Sequence, residues 1–111
     1  MAIKPQINLR EQSIVPGNYR NKKLLEVVRE MPCQHCGAED GSVVAAHSNS
    51  QEDGKGMGIK AHDFKVAGLC FRCHMNLDQG SKMSKQERRE MWQNAHQRTI
   101  AWLFLNGKIK V

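Results

Sequence analysis

The chain has 111 residues, 40% of them hydrophobic and 25% charged, with a formal net charge of +6 at pH 7. This length suits one domain with a small hydrophobic core, which a bound metal would help to stabilise. No stretch approaches the roughly 20 apolar residues of a membrane-spanning helix, and the N-terminus lacks the apolar segment of a signal peptide. We therefore expect a cytoplasmic protein with no membrane partner.

The positive charge is concentrated in the two ends of the chain. Residues 1–32 carry six Lys or Arg against three acidic residues, residues 33–83 carry five against six, and residues 84–111 carry six against two. Clustered cations neutralise phosphates and release counterions, so this layout fits a polyanion-binding surface around a nearly neutral centre. A basic pI is also common in small soluble proteins, so charge alone leaves nucleic-acid binding open.

The N-terminal part predicts an arm followed by a helix. Residues 1–18 are polar, contain Pro5, Pro16 and Gly17, and show no sustained period, which predicts an extended arm. From residue 19 to residue 31 apolar side chains recur at helical spacing until Pro32, which predicts a short amphipathic helix. Residues 19–111 are predicted to form a single domain.

The middle of the chain predicts two strands and a helix. The segments SVVAAHS (42–48) and FKVAGLC (64–70) have the character of short strands, and a polar loop with three glycines separates them. The loop sequence GKGMGIK lacks the spacing of a P-loop, and it is either a phosphate contact or a flexible hairpin. A helix is predicted to begin around Cys73 and to end by Gly80.

The last predicted element is a helix over residues 84–105. Ser84 and Glu87 fit a capping box, and one apolar stripe follows, formed by Met91, Trp92, Ala95, Thr99, Trp102 and Leu103. The two tryptophans are interpreted as core or docking residues, with stacking on a nucleic-acid base as the alternative. His96 is expected on the surface, and the final NGKIKV is expected to be a turn and a basic tail.

The four cysteines form two CxxC pairs, Cys33 with Cys36 and Cys70 with Cys73, with 33 residues between the pairs. Two such tight turns can close a tetrahedron of four thiolates, which is the donor set of structural zinc. A thioredoxin-type redox pair is the alternative, but it leaves the second pair unexplained and the chain lacks a βαβ pattern. A closed four-cysteine site has no open coordination position, so the zinc should be structural.

The histidines nearest the cysteines need a separate explanation. His47 ends the first predicted strand, His74 directly follows Cys73, and Asp78 lies one helical turn after His74. His74 and Asp78 could hold a divalent cation together, with His47 facing it from the strand. The alternatives are a structural role for His47, zinc ligation by His74, and a cap or a pairing with Lys82 for Asp78.

Residues 33–80 contain three segments in the order CQHC, VVAAHSN and LCFRCHMNLD. With this order of motifs the chain resembles the HNH nucleases, and most closely the small prophage-encoded YbcO-like members. The resemblance implies an α+β fold, with a zinc-braced ββα-metal (His-Me finger) core over residues 33–80 and flanking N- and C-terminal helices. In that family the strand histidine activates a water and the helix histidine binds the catalytic metal. Those roles fall on His47 and His74.

Two positions depart from the family pattern. Members commonly carry a metal ligand just before the strand histidine, where this chain has Ala46, so Asp78 is the candidate second ligand. Family members also have an asparagine in the loop before the second strand, which orients the catalytic histidine, and no such asparagine is evident in this chain. Asp63 lies nearest to that position, and His62 and Asn49 are weaker candidates.

The resemblance implies a metal-dependent DNA endonuclease that uses Mg²⁺ or another divalent ion and no small-molecule cofactor. It also implies a role in phage or prophage DNA processing or recombination, in a bacterial or phage-infected cell. Little chain remains for reading bases in a groove, so non-specific or structure-directed cleavage is expected. The predicted DNA-backbone contacts are Lys55, Lys60, Arg72, Arg88 and Arg89. The alternative function is a non-catalytic zinc-ribbon module that binds nucleic acid.

Overall fold

The computed structural model describes residues 7–8, 18–79 and 82–110. Within these ranges the chain forms three α-helices and two pairs of strands, which confirms the α+β class. In chain order the elements are β1 (Ile7–Asn8), α1 (Lys22–Val28), β2 (Val44–His47), β3 (Val66–Leu69), α2 (Phe71–Gln79), α3 (Lys85–Leu105) and β4 (Ile109–Lys110). A short 3-10 turn, Gln51–Asp53, lies in the loop between β2 and β3.

The helix α1 is shorter than the predicted 19–31. It begins after Asn21, whose side chain accepts a hydrogen bond from the backbone N–H of Leu24 and so satisfies one of the free donors of the first turn. Its buried residues are Leu24, Val27 and Val28, and Arg29 is its C-cap, three residues before Pro32.

The strands β2 and β3 form an antiparallel hairpin at the centre of the fold. Val44 pairs with Leu69 and His47 pairs with Val66, so both predicted strands are confirmed in place but are shorter than expected. A Cβ at Gly68 would lie 2.7 Å from Sδ of Met31, so the glycine gives the Met31 side chain its place against the hairpin, and a larger residue would make that side chain shift.

The helix α3 packs along β3 and closes the core. The capping box of Ser84 and Glu87 is confirmed, and five residues of the predicted stripe are buried: Met91, Trp92, Ala95, Thr99 and Leu103. The Oγ1 of Thr99 accepts a hydrogen bond from the backbone N–H of Gly68 at 2.9 Å. Trp102 is partly buried, and the Nζ of Lys108 lies 5.9 Å from its ring centre.

His96, expected on the surface, is half-buried between α3 and the hairpin. Its Nδ1 lies 2.7 Å from the carbonyl oxygen of Val66, and its ring stacks on Trp92 with centroids 4.8 Å apart. The Nε1–H of Trp92 donates to the carbonyl oxygen of Ala46 at 2.9 Å. The two neighbouring rings therefore attach α3 to both strands of the hairpin.

The helix α2 begins at Phe71, two residues before the predicted start, and buries Cys73 and Leu77. The predicted basic tail also contains a strand, because Ile109 and Lys110 pair in parallel with Ile7 and Asn8. Apart from residues 7, 8 and 18, the predicted N-terminal arm lies outside the described residues. Across the described ranges, no helix has the length and apolar character needed to cross a bilayer.

Candidate functional site

The four cysteines form one compact cluster. Their Sγ atoms all lie within 4.8 Å of one another, and those of Cys36 and Cys70 are 3.6 Å apart. A tetrahedral zinc with Zn–S bonds of about 2.3 Å requires sulfurs about 3.8 Å apart, so the donor set fits one zinc ion. Within the part of the chain that the structure describes, no other group of three or more His, Cys, Asp or Glu side chains has comparable spacing.

The first CxxC turn positions its sulfurs through the backbone. The N–H of Cys36 points to Sγ of Cys33 at 3.4 Å, and the N–H of Gly37 donates to the carbonyl oxygen of Cys33 at 2.8 Å. Gly37 has a φ of 80°, a conformation that glycine adopts without strain. The second pair flanks the start of α2, with Cys70 just before the helix and Cys73 in its first turn.

The cysteines differ in their readiness to ionise. Burial opposes the Cys33 thiolate, but the backbone N–H groups of Cys36, Cys70 and His35 and the Cys36 side chain stabilise it and lower its pKa to about 6. Burial, followed by the neighbouring thiols, raises the pKa of Cys73. Since adjacent thiolates repel one another, a bound cation is needed to hold all four in the ionised form.

A second cluster joins the two ends of the β2–β3 loop. The Nε2 of His47, at the end of β2, lies 2.9 Å from Oδ1 of Asp63, shortly before β3. The side chain of His47 is 16% exposed and that of Asp63 is 4% exposed. The contact therefore holds the imidazole against a buried carboxylate, while part of the ring stays accessible.

The chain before and at the start of α1 fixes Asp63. The backbone N–H of Asn21 donates to Oδ2 of Asp63 at 2.7 Å, and the guanidinium of Arg20 lies 3.3 Å from Oδ1. The backbone N–H of Asp63 in turn donates to the carbonyl oxygen of Tyr19 at 3.0 Å. Both carboxylate oxygens thus have protein partners, which a buried carboxylate needs.

Of the three residues considered for orienting His47, Asp63 is the one that contacts it. His62 instead accepts a hydrogen bond at Nδ1 from the backbone N–H of Tyr19 and stacks on Phe64 with centroids 4.9 Å apart. Asn49 is exposed and lines a neighbouring pocket. The geometry therefore favours Asp63 for this position.

The pair predicted to hold a divalent ion lies on α2. The Nε2 of His74 and Oδ2 of Asp78 are 3.0 Å apart, and their side chains are 36% and 43% exposed. The partner that the structure gives Asp78 is His74, and not the Lys82 considered from the sequence. This contact is a direct side-chain pair between successive turns of the helix, and the same two side chains offer one nitrogen and one oxygen donor on an accessible face of α2.

Ala46 cannot carry the ligand that the family pattern would place there. Its side chain is 3% exposed and belongs to the hydrophobic core, because neighbouring residues of a strand face opposite sides of the sheet. His47 is thus directed away from the core while Ala46 is directed into it. A charged residue at position 46 would be buried.

The predicted DNA-contacting cations are in three places. Lys55 and Lys60 lie in the β2–β3 loop, Arg72 is exposed in the first turn of α2, and Arg88 and Arg89 line a pocket next to α3. The loop is held by Asn18, whose side-chain amide donates to the carbonyl oxygens of Gly54 and Lys60.

The contribution of Asn18, Arg20 and Asn21 was missed from the sequence. The guanidinium of Arg20 also donates to the carbonyl oxygens of Lys60 and Ala61, each at 2.7 Å. These contacts span about 40 residues of sequence, and no local pattern in residues 18–21 signals them. An asparagine just before a helical pattern indicates an N-cap, so the capping role of Asn21 is the one contact in this segment that could have been predicted from the sequence.

Comparisons with protein-family models, with curated proteins and with solved structures find no match to this chain. The cysteine cluster and the two histidine–aspartate pairs are therefore the features of the chain that bear on its function.

Proposed function

We propose that this protein is a metal-dependent DNA endonuclease of the HNH type, with a structural zinc at the four cysteines. The observation that carries the proposal is the His47–Asp63 contact at the loop end of the β2–β3 hairpin. The next element in the chain, α2, carries the His74–Asp78 pair. The first CxxC turn precedes β2 and the second lies where β3 leads into α2, and the four thiols meet in one cluster. The proposal includes the expected role in phage or prophage DNA processing, inside a bacterial or phage-infected cell.

His47 acts as the general base. When its Nε2–H donates to Asp63, the neutral imidazole keeps its lone pair on Nδ1, which can take a proton from an attacking water. Asp63 orients the ring and stabilises the imidazolium that forms. Asn21 and Arg20 keep the carboxylate in place, so the ring turns little about its contact with Asp63.

His74 and Asp78 would hold the catalytic divalent ion. Such an ion supplies electrophilic stabilisation of the charge that develops on the phosphate and on the leaving oxygen. With Ala46 in the core, these two residues are the protein ligands in the proposal, and waters and phosphate oxygens complete the set, as is common for Mg²⁺. The half-exposed position of the pair leaves room for them.

The DNA backbone is held by the cations outside the zinc cluster. The net charge of +6 and the basic N- and C-terminal parts support this assignment. Lys55, Lys60, Arg72, Arg88 and Arg89 are the candidate contacts. Their contribution should weaken as salt rises, because binding releases counterions.

A plasmid-nicking assay tests the proposed activity. Wild type, His47→Ala and His74→Ala are incubated with supercoiled DNA and Mg²⁺, Mn²⁺ or Ni²⁺, with an EDTA control. We expect His47→Ala to lose roughly 10²–10⁴-fold in rate, the typical contribution of a general base. His35→Ala is the matched control, because His35 is exposed within the first CxxC turn. Nicking by His47→Ala at the wild-type rate, with zinc content and circular dichroism unchanged, would contradict the assignment.

A second candidate function is a non-catalytic zinc module that binds nucleic acid. The observation that favours it is the ligand count: in the described ranges only the cysteine cluster assembles three or more metal-binding side chains. This function predicts salt-sensitive DNA binding and no nicking by wild type with any of the three ions.

A further inference from the structure

A pocket of about 700 Å³ lies beside the proposed catalytic residues. One wall is the loop that follows His47, with Ser48, Glu52 and Asp53, and a second is the end of α2 with Leu77 and Asp78. The first turns of α3 form the third wall. This volume falls within the roughly 300–1,000 Å³ of small-ligand sites, so the pocket has room for one nucleotide.

The third wall is cationic. Lys85, Arg88 and Arg89 all line the pocket; Arg88 and Arg89 follow Lys85 by three and four residues, so both lie one turn along the same side of α3. Arginine pairs with phosphate through two parallel N–H donors, and the N-terminal turns of a helix also favour an anion. The wall therefore suits the phosphate of a nucleotide.

The apolar part of the pocket lining includes an aromatic ring. Its members are Leu77, Met83 and Trp92. The indole of Trp92 is held in position because its Nε1–H donates to the carbonyl oxygen of Ala46 and its ring stacks on His96. Only 8% of Trp92 is exposed. Because the ring is nearly buried and one face is covered by His96, a nucleobase in the pocket would contact the exposed edge of Trp92 together with Leu77 and Met83, and it would gain from apolar burial and not from stacking.

The carboxylates of the loop wall already have partners. Oδ2 of Asp53 accepts from the Ser48 hydroxyl at 2.6 Å, and its Oδ1 lies 3.5 Å from Nζ of Lys65. Glu52 accepts from the hydroxyl of Ser50 at 3.0 Å. These pairings reduce the repulsion of a phosphate, and the remaining acceptor capacity matches the amino groups on base edges.

We propose that this pocket binds a single unpaired nucleotide of the DNA, with its phosphate on Lys85, Arg88 and Arg89 and its base against Trp92. The inference rests on the proposed function for its DNA ligand and deepens it by naming a substrate class, DNA with an unpaired or displaced nucleotide. Asp78 belongs both to the pocket and to the proposed ion site, so the bound nucleotide lies next to the reacting phosphate.

Trp92 fluorescence provides the test. The chain has two tryptophans, so Trp102→Phe leaves Trp92 as the one reporter and keeps an aromatic ring beneath Lys108. The zinc-loaded variant is titrated without added divalent ion, so cleavage does not enter the readout. Three duplexes of equal length are compared: fully paired, with one unpaired adenosine, and with an abasic residue in place of that adenosine.

We expect the DNA with the unpaired deoxyadenosine to quench Trp92 and to bind about tenfold more tightly than the other two DNAs, the gain expected for removing about 50 Å² of the base from water. Arg89→Glu should weaken binding of the DNA with the unpaired nucleotide about tenfold more than Lys23→Glu does, because it removes a phosphate contact inside the pocket. Lys23→Glu is the matched control, since Lys23 is exposed on α1, outside the pocket lining, and the net charge changes equally. Equal affinity for the three DNAs, or equal losses in the two charge variants, would overturn the pocket assignment. Failure of plasmid nicking alone would overturn the proposed activity and leave this binding result standing.

Discussion

The protein contains two histidine–aspartate pairs of similar length and different construction. His47 and Asp63 are 2.9 Å apart and largely buried, and they come from the two ends of a loop. His74 and Asp78 are 3.0 Å apart and partly exposed, on successive turns of one helix. Asp63 has further contacts from Arg20 and Asn21, whereas Asp78 is paired with His74 on its own helix.

This difference separates two requirements of the proposed chemistry. A general base must keep one orientation, which the network around Asp63 supplies. A residue that binds an exchangeable ion must stay open to water and phosphate, which the exposure of Asp78 allows. The two pairs should therefore respond differently when their carboxylates, their metal or the solution pH is changed.

The largest expected effect comes from removing the zinc, because both pairs lie on elements that the cysteine cluster joins. Cys70→Ser should lose zinc and the cooperative thermal transition, since apparent zinc-binding free energies of about 10 kcal/mol or more contribute directly to folding. Zinc content by a colorimetric chelator and melting by circular dichroism are the measurements. Met75→Ser, at an exposed position of α2, is the control. Wild-type melting of Cys70→Ser without zinc would show that the cluster does not support either pair.

The second effect separates the pairs by stability. Asp63→Ala should lower the free energy of unfolding by about 2 kcal/mol, because it leaves His47 and the N–H of Asn21 without their buried acceptor, while the half-exposed Arg20 keeps the carbonyls of Lys60 and Ala61. Asp78→Ala should change it by less than about 0.5 kcal/mol, as for an exposed pair. Urea unfolding measures both. Equal losses would end the distinction between the two pairs.

The third effect separates the pairs by ion binding. Mn²⁺ affinity, followed by electron paramagnetic resonance of the free ion, should fall about tenfold or more in Asp78→Ala, because one of two proposed protein ligands is lost. His47→Ala should bind Mn²⁺ as the wild type does. If His47→Ala weakens Mn²⁺ binding as much as Asp78→Ala, the proposed division between base and ligands is incorrect.

The smallest effect concerns a histidine outside both pairs. Burial lowers the pKa of His96, and its Nδ1–H donates to Val66. The folded protein then binds fewer protons than the unfolded chain, so this contribution to stability is full above about pH 6.5 and decreases as the pH falls below that value. Urea midpoints at two pH values should show a shallower decrease in His96→Gln than in wild type. The exposed His35→Gln should retain the wild-type slope.

The parts of the fold that were predictable are encoded by neighbouring residues. The capping box and stripe of α3 depend on residues three and four apart, and the CxxC pairs specify their own turns. The start of α2 was predicted two residues late, and the strand Ile109–Lys110 was interpreted as a tail. A two-residue strand has too little pattern to be recognised without its partner, which here lies about 100 residues away in sequence.

The candidate site was predictable to a similar extent. Asp63 was named because it lies close to the second predicted strand, and the structure brings it to His47. Its contacts with Arg20 and Asn21 depend on how α1 crosses the hairpin, which no sequence spacing reveals. The burial of His96 was missed for the same reason, since the carbonyl that receives its proton belongs to β3.

The position of the four-cysteine cluster would also affect the order and speed of folding when it binds zinc. Both hairpin strands lie within the 33 residues between the CxxC pairs, so metal binding closes a loop that contains them. Closing a loop loses chain entropy before the long-range contacts within it can form, and this loss slows folding. A metal that joins the two ends of the loop offsets the loss and lowers the folding barrier. Refolding should therefore accelerate with free zinc, and the time at which His47 and Asp63 first meet would depend on the metal supply.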